Sequence, residues 1–328
     1  MTASAAPAWS IPKTDRRTAY VAFAALILAV AAAPALGLSS FLQSLIIEVL
    51  TFSILSMSLN LLIGYTGLVS FGHAAFFAVA GYGAAIAAIR LSPEVFVTFS
   101  IGIVASSLLA MVIGWLSIRL SGFYFLMITF TFAQMVYVAA VGWKVWTGGS
   151  DGLIIPGPTL FGHPVLETRK GLYYTTLVVF VVSCAIMYWL VTSQFGRTLI
   201  GIRERAPRMR ALGYNVRRYK LGAFVAGAAL ASVAGVLNAQ FNLFISPESA
   251  HWTQSAIILV MVLIGGTNFF VGPIVGTAIV LLLQHWLSSY TQYWGLVLGS
   301  LFVALITTAR EGIVGVVVDG WNRLRSER

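Results

Sequence analysis

Charge is what this chain has least of. Only 9% of its 328 residues are Asp, Glu, Lys or Arg, whereas a water-soluble domain carries about 25%, because its surface must be solvated. With 59% of the residues hydrophobic, the apolar surplus exceeds what one or two soluble cores can hold, and much of it must face lipid. The single cysteine, Cys184, sits inside an apolar run, which excludes a disulfide framework, a zinc cluster and an iron–sulfur site built by this chain. No G-x-x-x-x-G-K-[ST] loop is present to cradle ATP phosphates, and no H-E-x-x-H pair to hold zinc. The stretch Gly148-Gly149-Ser150-Asp151-Gly152 matches G-x-S-x-G. It lacks the strand–turn–helix setting that such a nucleophile needs, so it reads as a chance match. Nothing here is expected to be catalytic, to bind a cofactor or to ligate a metal.

What is present is long apolar runs. A membrane helix needs roughly 20 mainly apolar residues, and such runs fall at 19–38, 45–63, 69–89, 95–115, 123–141, 172–191, 221–241, 255–264, 273–287 and 293–308. The stretch 255–264 is short for a full span and is expected to begin earlier or to be broken. The expected fold is all-α, a polytopic transmembrane bundle of about ten helices, with eight or nine as alternatives. The 31 glycines suit that solvent, since small residues let membrane helices pack closely.

The net charge of +10 would point to nucleic acid in a soluble protein. Here the basic residues are scattered between apolar spans and form no single face, so no nucleic-acid partner is expected. They follow instead the rule that Lys and Arg stay in cytoplasmic loops. Between the sixth and seventh spans lie Arg197, Arg203, Arg205, Arg208, Arg210, Arg217, Arg218 and Lys220, with Glu204 the only acid. Counting outward from that loop puts the N-terminus (Lys13, Arg16, Arg17) and the C-terminal tail (Arg310, Arg323, Arg325, Arg328) on the same, cytoplasmic side. The division that follows is a cytoplasmic tail 1–18, a transmembrane domain 19–308, and a cytoplasmic tail 309–328. Within it, 142–170 is an external loop and 193–220 an internal one. The first span also fits a cleaved signal peptide, but its apolar run is longer than a usual h-region, which favours a retained anchor.

Polar residues gather where the helical pattern weakens. Gly64, Gly67 and Gly72 each disfavour helix by around 1 kcal/mol relative to alanine. Asn60, Tyr65, Thr66, Ser70 and His73 cluster around them. Broken backbone at membrane depth is tolerated only where protein or a water-filled cavity satisfies it, so these residues, with Gln134 on the fifth span, are candidates to line a translocation pathway. Close helix packing with interhelical hydrogen bonds is the alternative for each. His73 has no ligand-spaced companion in His163, His251 or His285, and a structural hydrogen bond is the simpler role for it than a proton relay. Glu48, Asn238, Gln240 and Gln284 are further polar residues within apolar runs, and Glu48 stands there without a partner acid or base. A second glycine-rich break spans Gly265 to Gly276, and Leu62-Ile63-Gly64-Tyr65-Thr66 is echoed by Leu263-Ile264-Gly265-Gly266-Thr267, which fits either a parallel duplication or chance. Gly227, Ala231 and Gly235 recur every four residues as a packing stripe.

In the basic loop, Pro207 suits a helix's first turn and Gly213 the position just past its end, so a short surface helix is expected over 207–212. Its arginines could hold anionic lipid headgroups. Met209, Leu212 and Tyr214 set apolar anchors among the charges and favour docking of a cytoplasmic partner instead.

Taken in order, the segment 60–77, the loop Thr147-Gly148-Gly149-Ser150-Asp151-Gly152-Leu153, the basic stretch 196–215 and the break 265–276 resemble the branched-chain amino acid permeases of ATP-binding cassette importers, the M-type subunit in particular. The resemblance covers about residues 40–315. It implies a subunit of the bacterial inner membrane that pairs with a related H-type permease, with two cytoplasmic ATPase subunits and a periplasmic solute-binding protein. It also implies that Arg203, Glu204, Arg208, Met209, Arg210, Ala211, Leu212 and Gly213 form the coupling helix that enters the ATPase cleft. Arg208, Met209 and Arg210 stand where many relatives carry small or acidic residues, which leaves the identity of the ATPases open. Relatives in the family carry urea and short amides or aromatic acids, and the 147–153 stretch leans towards amino acids. An ion-coupled transporter without ATPase partners is the alternative mechanism.

Overall fold

A computed structural model describes residues 39–164 and 168–290, with a few positions before 39 and between 293 and 316. The expected first span, the expected tenth and both charged tails lie outside this continuous part. Within it the chain is a helical bundle. Six helices are long and apolar enough to cross a membrane: α1 (Ser40–Thr66), α2 (His73–Arg90), α3 (Val95–Ser117), α4 (Phe123–Gly142), α5 (Arg169–Thr192) and, after the basic helix α6 (Gln194–Ala211), α7 (Val216–Asn242). Two shorter apolar helices follow, α8 (Trp252–Gly265) and α9 (Gly272–Ser288). The chain is therefore a multi-pass membrane protein.

The helices start and stop where local chemistry dictates. Ser39 caps α1 by accepting from the Leu42 amide at 3.4 Å. Thr168 and Asn215 cap α5 and α7 in the same way, through Gly171 and Arg218 at 3.2 Å each. α1 runs five residues beyond the expected 45–63 at its start and three beyond at its end, so Gly64 lies inside the helix. The break falls at Gly67, whose φ of 72° closes α1 in the left-handed conformation. A non-helical stretch then lasts until α2 begins at His73, four residues later than expected.

α1 and α7 form the centre. α1 is buried along most of its length, and hydroxyls within it bond back to their own helix, as Thr51 does to the Ile47 carbonyl at 2.8 Å. Such pairing is obligatory where no water is available. The expected stripe on α7 is a packing face. A Cβ on Gly227 would lie 3.2 Å from the Ser58 carbonyl of α1, and one on Gly235 would run into the Phe77 backbone of α2. Phe224 of α7 meets Phe76 and Phe125 edge-on, with centroids 5.3 and 6.0 Å apart, an arrangement worth about 0.5–1.5 kcal/mol per pair beyond area burial. Gln240 of α7 donates to Thr98 of α3 at 2.9 Å.

The loops sort to two ends. At one end Arg169 donates to the Ser40 carbonyl at 2.8 Å, Arg90 stacks 3.9 Å over Trp146, and β1 (Leu153–Ile154) pairs antiparallel with β2 (Phe244–Ile245). The Thr147–Leu153 stretch is a fixed turn here. Thr147 donates to the Ala140 carbonyl at 2.6 Å, and Gly148, Gly149 and Gly152 all have φ between 67° and 74°, a region that only glycine enters freely. Ser150 is exposed beside Asp151 on a short 3-10 turn, so the G-x-S-x-G match has no nucleophile-elbow geometry. At the opposite end lie the break after α1, the helix α6 and the α8–α9 connection.

Candidate functional site

Two regions carry the candidate residues: the basic turn around α6, and the break between α1 and α2.

The basic turn is longer and more sharply built than the expected 207–212 helix. α6 starts at Gln194 and kinks at Arg205, whose φ of −150° and ψ of 83° are non-helical. Pro207 explains the kink, since its ring has no N–H to donate and crowds the carbonyl four residues back, on Arg203. The second half ends in a Schellman turn. The Tyr214 amide donates to the Met209 carbonyl at 3.1 Å and the Gly213 amide to the Arg210 carbonyl at 3.0 Å, with Gly213 at φ 86°. Arg208, Arg210, Ala211, Leu212 and Gly213 are exposed at its tip, as are Glu204 and Arg205 at the kink. Leu212 is 66% exposed, an apolar side chain held out among arginines. Of the other expected anchors Tyr214 is exposed as well, at 41%, and only Met209 behaves otherwise. Met209 turns inward, where its sulfur would lie 2.9 Å from a Cβ on Gly201, and Tyr214 leans on Tyr219, which stacks on Phe195 at 5.6 Å.

Arg203 belongs to the first half of α6 and points away from the tip. Its guanidinium donates to the Gly64 carbonyl and, at 3.4 Å, to Asn268 Oδ1. Gly64 is in the last turn of α1, where carbonyls have no intrahelical partner and the helix dipole favours a cation. Asn268 lies in the α8–α9 connection. A Cβ on Gly64 would sit 2.5 Å from the Thr267 carbonyl, so the two echoing segments, 62–66 and 263–267, meet backbone to backbone and Arg203 spans them. Partial burial lowers the Arg203 pKa from its usual value, opposed by the neighbouring Glu204 carboxylate. The guanidinium stays charged at any physiological pH.

At the break, Asn60, Tyr65, Thr66, Ser70 and His73 are all buried. Thr66 donates back to the Leu62 carbonyl at 2.7 Å, and Ser70 accepts from the Gly72 amide at 3.1 Å; both serve the backbone. His73 opens α2 with the Ser58 carbonyl and Gly227 beside its ring, and its nearest aromatic neighbour is Phe76 at 5.9 Å. Gln134 is not part of this group. It lies half-buried on α4.

Two hydroxyls that the sequence did not single out hold the break closed. Thr129 of α4 accepts from the Phe71 amide at 3.2 Å. Ser255 of α8 accepts from the Ala74 amide at 3.2 Å and donates to the Phe71 carbonyl at 2.7 Å. The Phe71 amide and carbonyl and the Ala74 amide are thus satisfied by side chains of other helices. Glu48 also has a partner after all: its carboxylate lies 2.9 Å from His285 Nε2 of α9, both side chains part-exposed. Among the described residues no cluster of three His, Cys, Asp or Glu could hold a metal.

A polytopic helical bundle with a buried polar break inside it and an arginine-rich helix standing at one end has the architecture of a solute permease. The chain belongs to the family described as branched-chain amino acid transport system / permease component, whose pattern matches residues 41–306. The high-affinity branched-chain amino acid transport system permease protein LivM of Escherichia coli is 28% identical over 286 residues, covering 80% of this chain and 67% of that relative. The corresponding LivH protein of the same organism is 24% identical over 287 residues, covering 81% and 91%. The probable LivM permease of Methanocaldococcus jannaschii is 24% identical over a shorter 148 residues, 44% of this chain. No solved structure matches.

Proposed function

We propose that this chain is the M-type membrane subunit of an ATP-binding cassette importer that carries branched-chain or related amino acids across the bacterial inner membrane. It pairs with a related H-type permease, receives solute from a periplasmic binding protein and is driven by two ATPases docked on the cytoplasmic face. That both LivM and LivH proteins are similar to this chain over about four-fifths of its length supports a partner of the same architecture.

The orientation has ten spans with both termini in the cytoplasm, 142–170 outside and 193–220 inside. The charge at the two ends supports it. Arg119, Arg197 and the α6–α7 arginines share one end with Glu204, while Glu94, Asp151 and Glu248 accompany Arg90, Lys144, Arg169 and Lys170 at the other. The stretch 203–213 acts as the coupling helix, with Leu212 and the flanking arginines as its contact face.

The observation that carries the mechanism is Arg203. A side chain rooted in the coupling helix and bonded to the ends of two other helix systems gives the ATPases a physical grip on the membrane domain. ATP-driven closure moves α6, and the pull reaches α1 and the α8–α9 connection together, which alternates access to a central path. The test is purification of the tagged chain from its native membrane, followed by reconstitution in vesicles. Two ATPases and a second permease should accompany it, and uptake of leucine should require ATP and persist when the proton gradient is collapsed. Uptake that survives without ATP and stops with the gradient would refute this reading in favour of ion coupling.

A further inference from the structure

Three helices present wide exposed faces, and they are not alike. From Val104 onward α3 exposes Val104, Leu108, Met111, Val112, Trp115 and Leu116, all apolar, and α5 exposes Val178, Val182, Ile186 and Trp189, with Tyr174 and Tyr188 beside them. Faces of that kind suit hydrocarbon. α4 differs. Phe130, Gln134 and Tyr137, spaced i, i+4 and i+7, share one half-buried face, and Thr131 beside them is exposed. The Thr131 hydroxyl bonds back to the Met127 carbonyl at 3.0 Å, but a Gln134 amide facing lipid would forgo hydrogen bonds that hydrocarbon cannot replace.

The rings on that face also continue beyond α4. Phe71, at the break, lies 6.5 Å from Phe130, which lies 6.3 Å from Trp252 at the start of α8. Trp252 is 5.7 Å from His251, and His251 is 5.2 Å from Tyr137. The five rings form a ladder up one side of the chain, from the closed break towards the end that carries the Thr147–Leu153 turn. Phe130 and Tyr137 alone span two turns of α4, about 10 Å. None of the five is fully buried, and Trp252 is 40% exposed.

We infer that this α4–α8 face is the chain's wall of the solute passage, closed on the far side by the second permease. Its chemistry fits a zwitterionic amino acid with an apolar side chain. The aromatic faces pack against the apolar side chain and attract the ammonium group, and Gln134, set between Phe130 and Tyr137, offers the donors and acceptor for the charged end. Urea or a short amide has no apolar part to lay on the rings. The inference rests on the importer reading for its second wall and its solute, and on the contrast between α4 and the faces of α3 and α5 for its location.

The test uses the whole importer with Cys184→Ala in this chain, so that introduced thiols are the only ones it carries. Single variants Thr131→Cys and Gln134→Cys probe the wall, while Val104→Cys and Val182→Cys probe the apolar faces. Membranes are treated with a negatively charged, water-soluble thiol reagent. The wall positions should label at least about tenfold faster than the other two, because only a hydrated thiol ionises and reacts. Leucine, supplied with the binding protein and ATP, should slow that labelling, and urea should not. Trp252→Ala should lower leucine uptake and leave the labelling pattern intact, and Trp252→Phe should restore uptake. Equal labelling of all four positions overturns the passage. Fast labelling of the wall that leucine leaves unchanged overturns its contact with solute. A chain that purifies without ATPases, yet labels on the wall and is protected by leucine alone, supports the passage while refuting the ATP-driven reading.

Discussion

Arg203→Met removes the guanidinium and keeps an unbranched side chain of similar reach. The arginine donates to the Gly64 carbonyl and to Asn268 Oδ1 at 3.4 Å. A hydrogen bond involving a charged group contributes about 1.5–3 kcal/mol when well made. Arg203 is in part exposed, so solvent screening reduces the figure, and the long contact to Asn268 adds little. The net loss is about 1–2 kcal/mol, which shifts an equilibrium by a factor of roughly 5–30. The bundle core does not include this side chain, so insertion and assembly should persist. What should change is the yield of transport per ATP. In vesicles with the binding protein, hydrolysis should continue near its normal rate while leucine uptake falls several-fold. Arg203→Lys should recover part of the loss, since an ammonium reaches one acceptor but lacks the planar fork. Asn268→Ala should have the smaller effect. If Arg203→Met leaves the ratio of uptake to hydrolysis unchanged, α6 does not act on the membrane domain through this contact, and the coupling argument fails.

The remaining expectations concern packing and backbone. Gly64→Val places side-chain atoms against the Thr267 carbonyl and the Asn60 amide, 2.5 and 2.7 Å from the new Cβ. It should abolish accumulation of the folded chain in membranes, whereas Gly142→Ala, with open space around it, should accumulate normally. Gly213→Ala meets no neighbour but forces a Cβ into the left-handed region at φ 86°, a cost of about 1–2 kcal/mol. It should loosen the Schellman turn, measured as faster tryptic cleavage at Arg208 and Arg210 in inside-out vesicles. Ser255→Ala leaves the Ala74 amide and the Phe71 carbonyl without their hydroxyl partner and should cost about 1–3 kcal/mol. Its signature is a shorter half-life of the solubilised complex on heating, beside a Thr131→Ala control that stays at the wild-type value.

Much of this architecture is written locally and is readable before any coordinates. The apolar runs give the helices because length and composition decide membrane insertion. Gly213 after a basic segment with Pro207 in it gives a turn with a defined stop, and Gly227, Ala231 and Gly235 give the packing face of α7. The first and tenth expected spans lie outside the described residues. What was not readable depends on partners far along the chain. Thr129 and Ser255 look like Thr51 and Ser58, hydroxyls in apolar runs, but the latter bond to their own helix, while Ser255 binds the broken backbone of another and Thr129 does so besides bonding back to Phe125. Periodicity does not separate the two uses. Arg203 is exposed, as the coupling surface requires, but neither its bonds to Gly64 and Asn268 nor the kink at Arg205 can be read from local sequence. That kink splits the basic segment into a tip that faces outward and a base that faces the bundle. The same kink turns Met209 inward, and Glu48 found its histidine only once α9 was folded beside α1.

The positions of Arg203 and Ser255 suggest why the break sits where it does. Arg203 grips α1 at Gly64, three residues before the helix ends at Gly67. From there the chain runs without helix to His73, and Thr129 and Ser255 hold Phe71 and Ala74 with three hydrogen bonds. A helix interior resists axial strain through a continuous ladder of bonds, whereas this link has these anchors and a few local bonds, such as the Leu68 amide to the Leu62 carbonyl and the Gly72 amide to the Ser70 hydroxyl. On the proposed reading, movement of α6 therefore reaches the Phe71 anchors before it disturbs the packed contacts of α1 with α7. Hydroxyls suit such anchors, because each can exchange one backbone partner for another without leaving a charge unpaired in the membrane. Phe71 is also the lowest ring of the aromatic ladder. A shift of the link then moves the foot of the wall against α4, which ties the cytoplasmic grip to the place where the passage is closed.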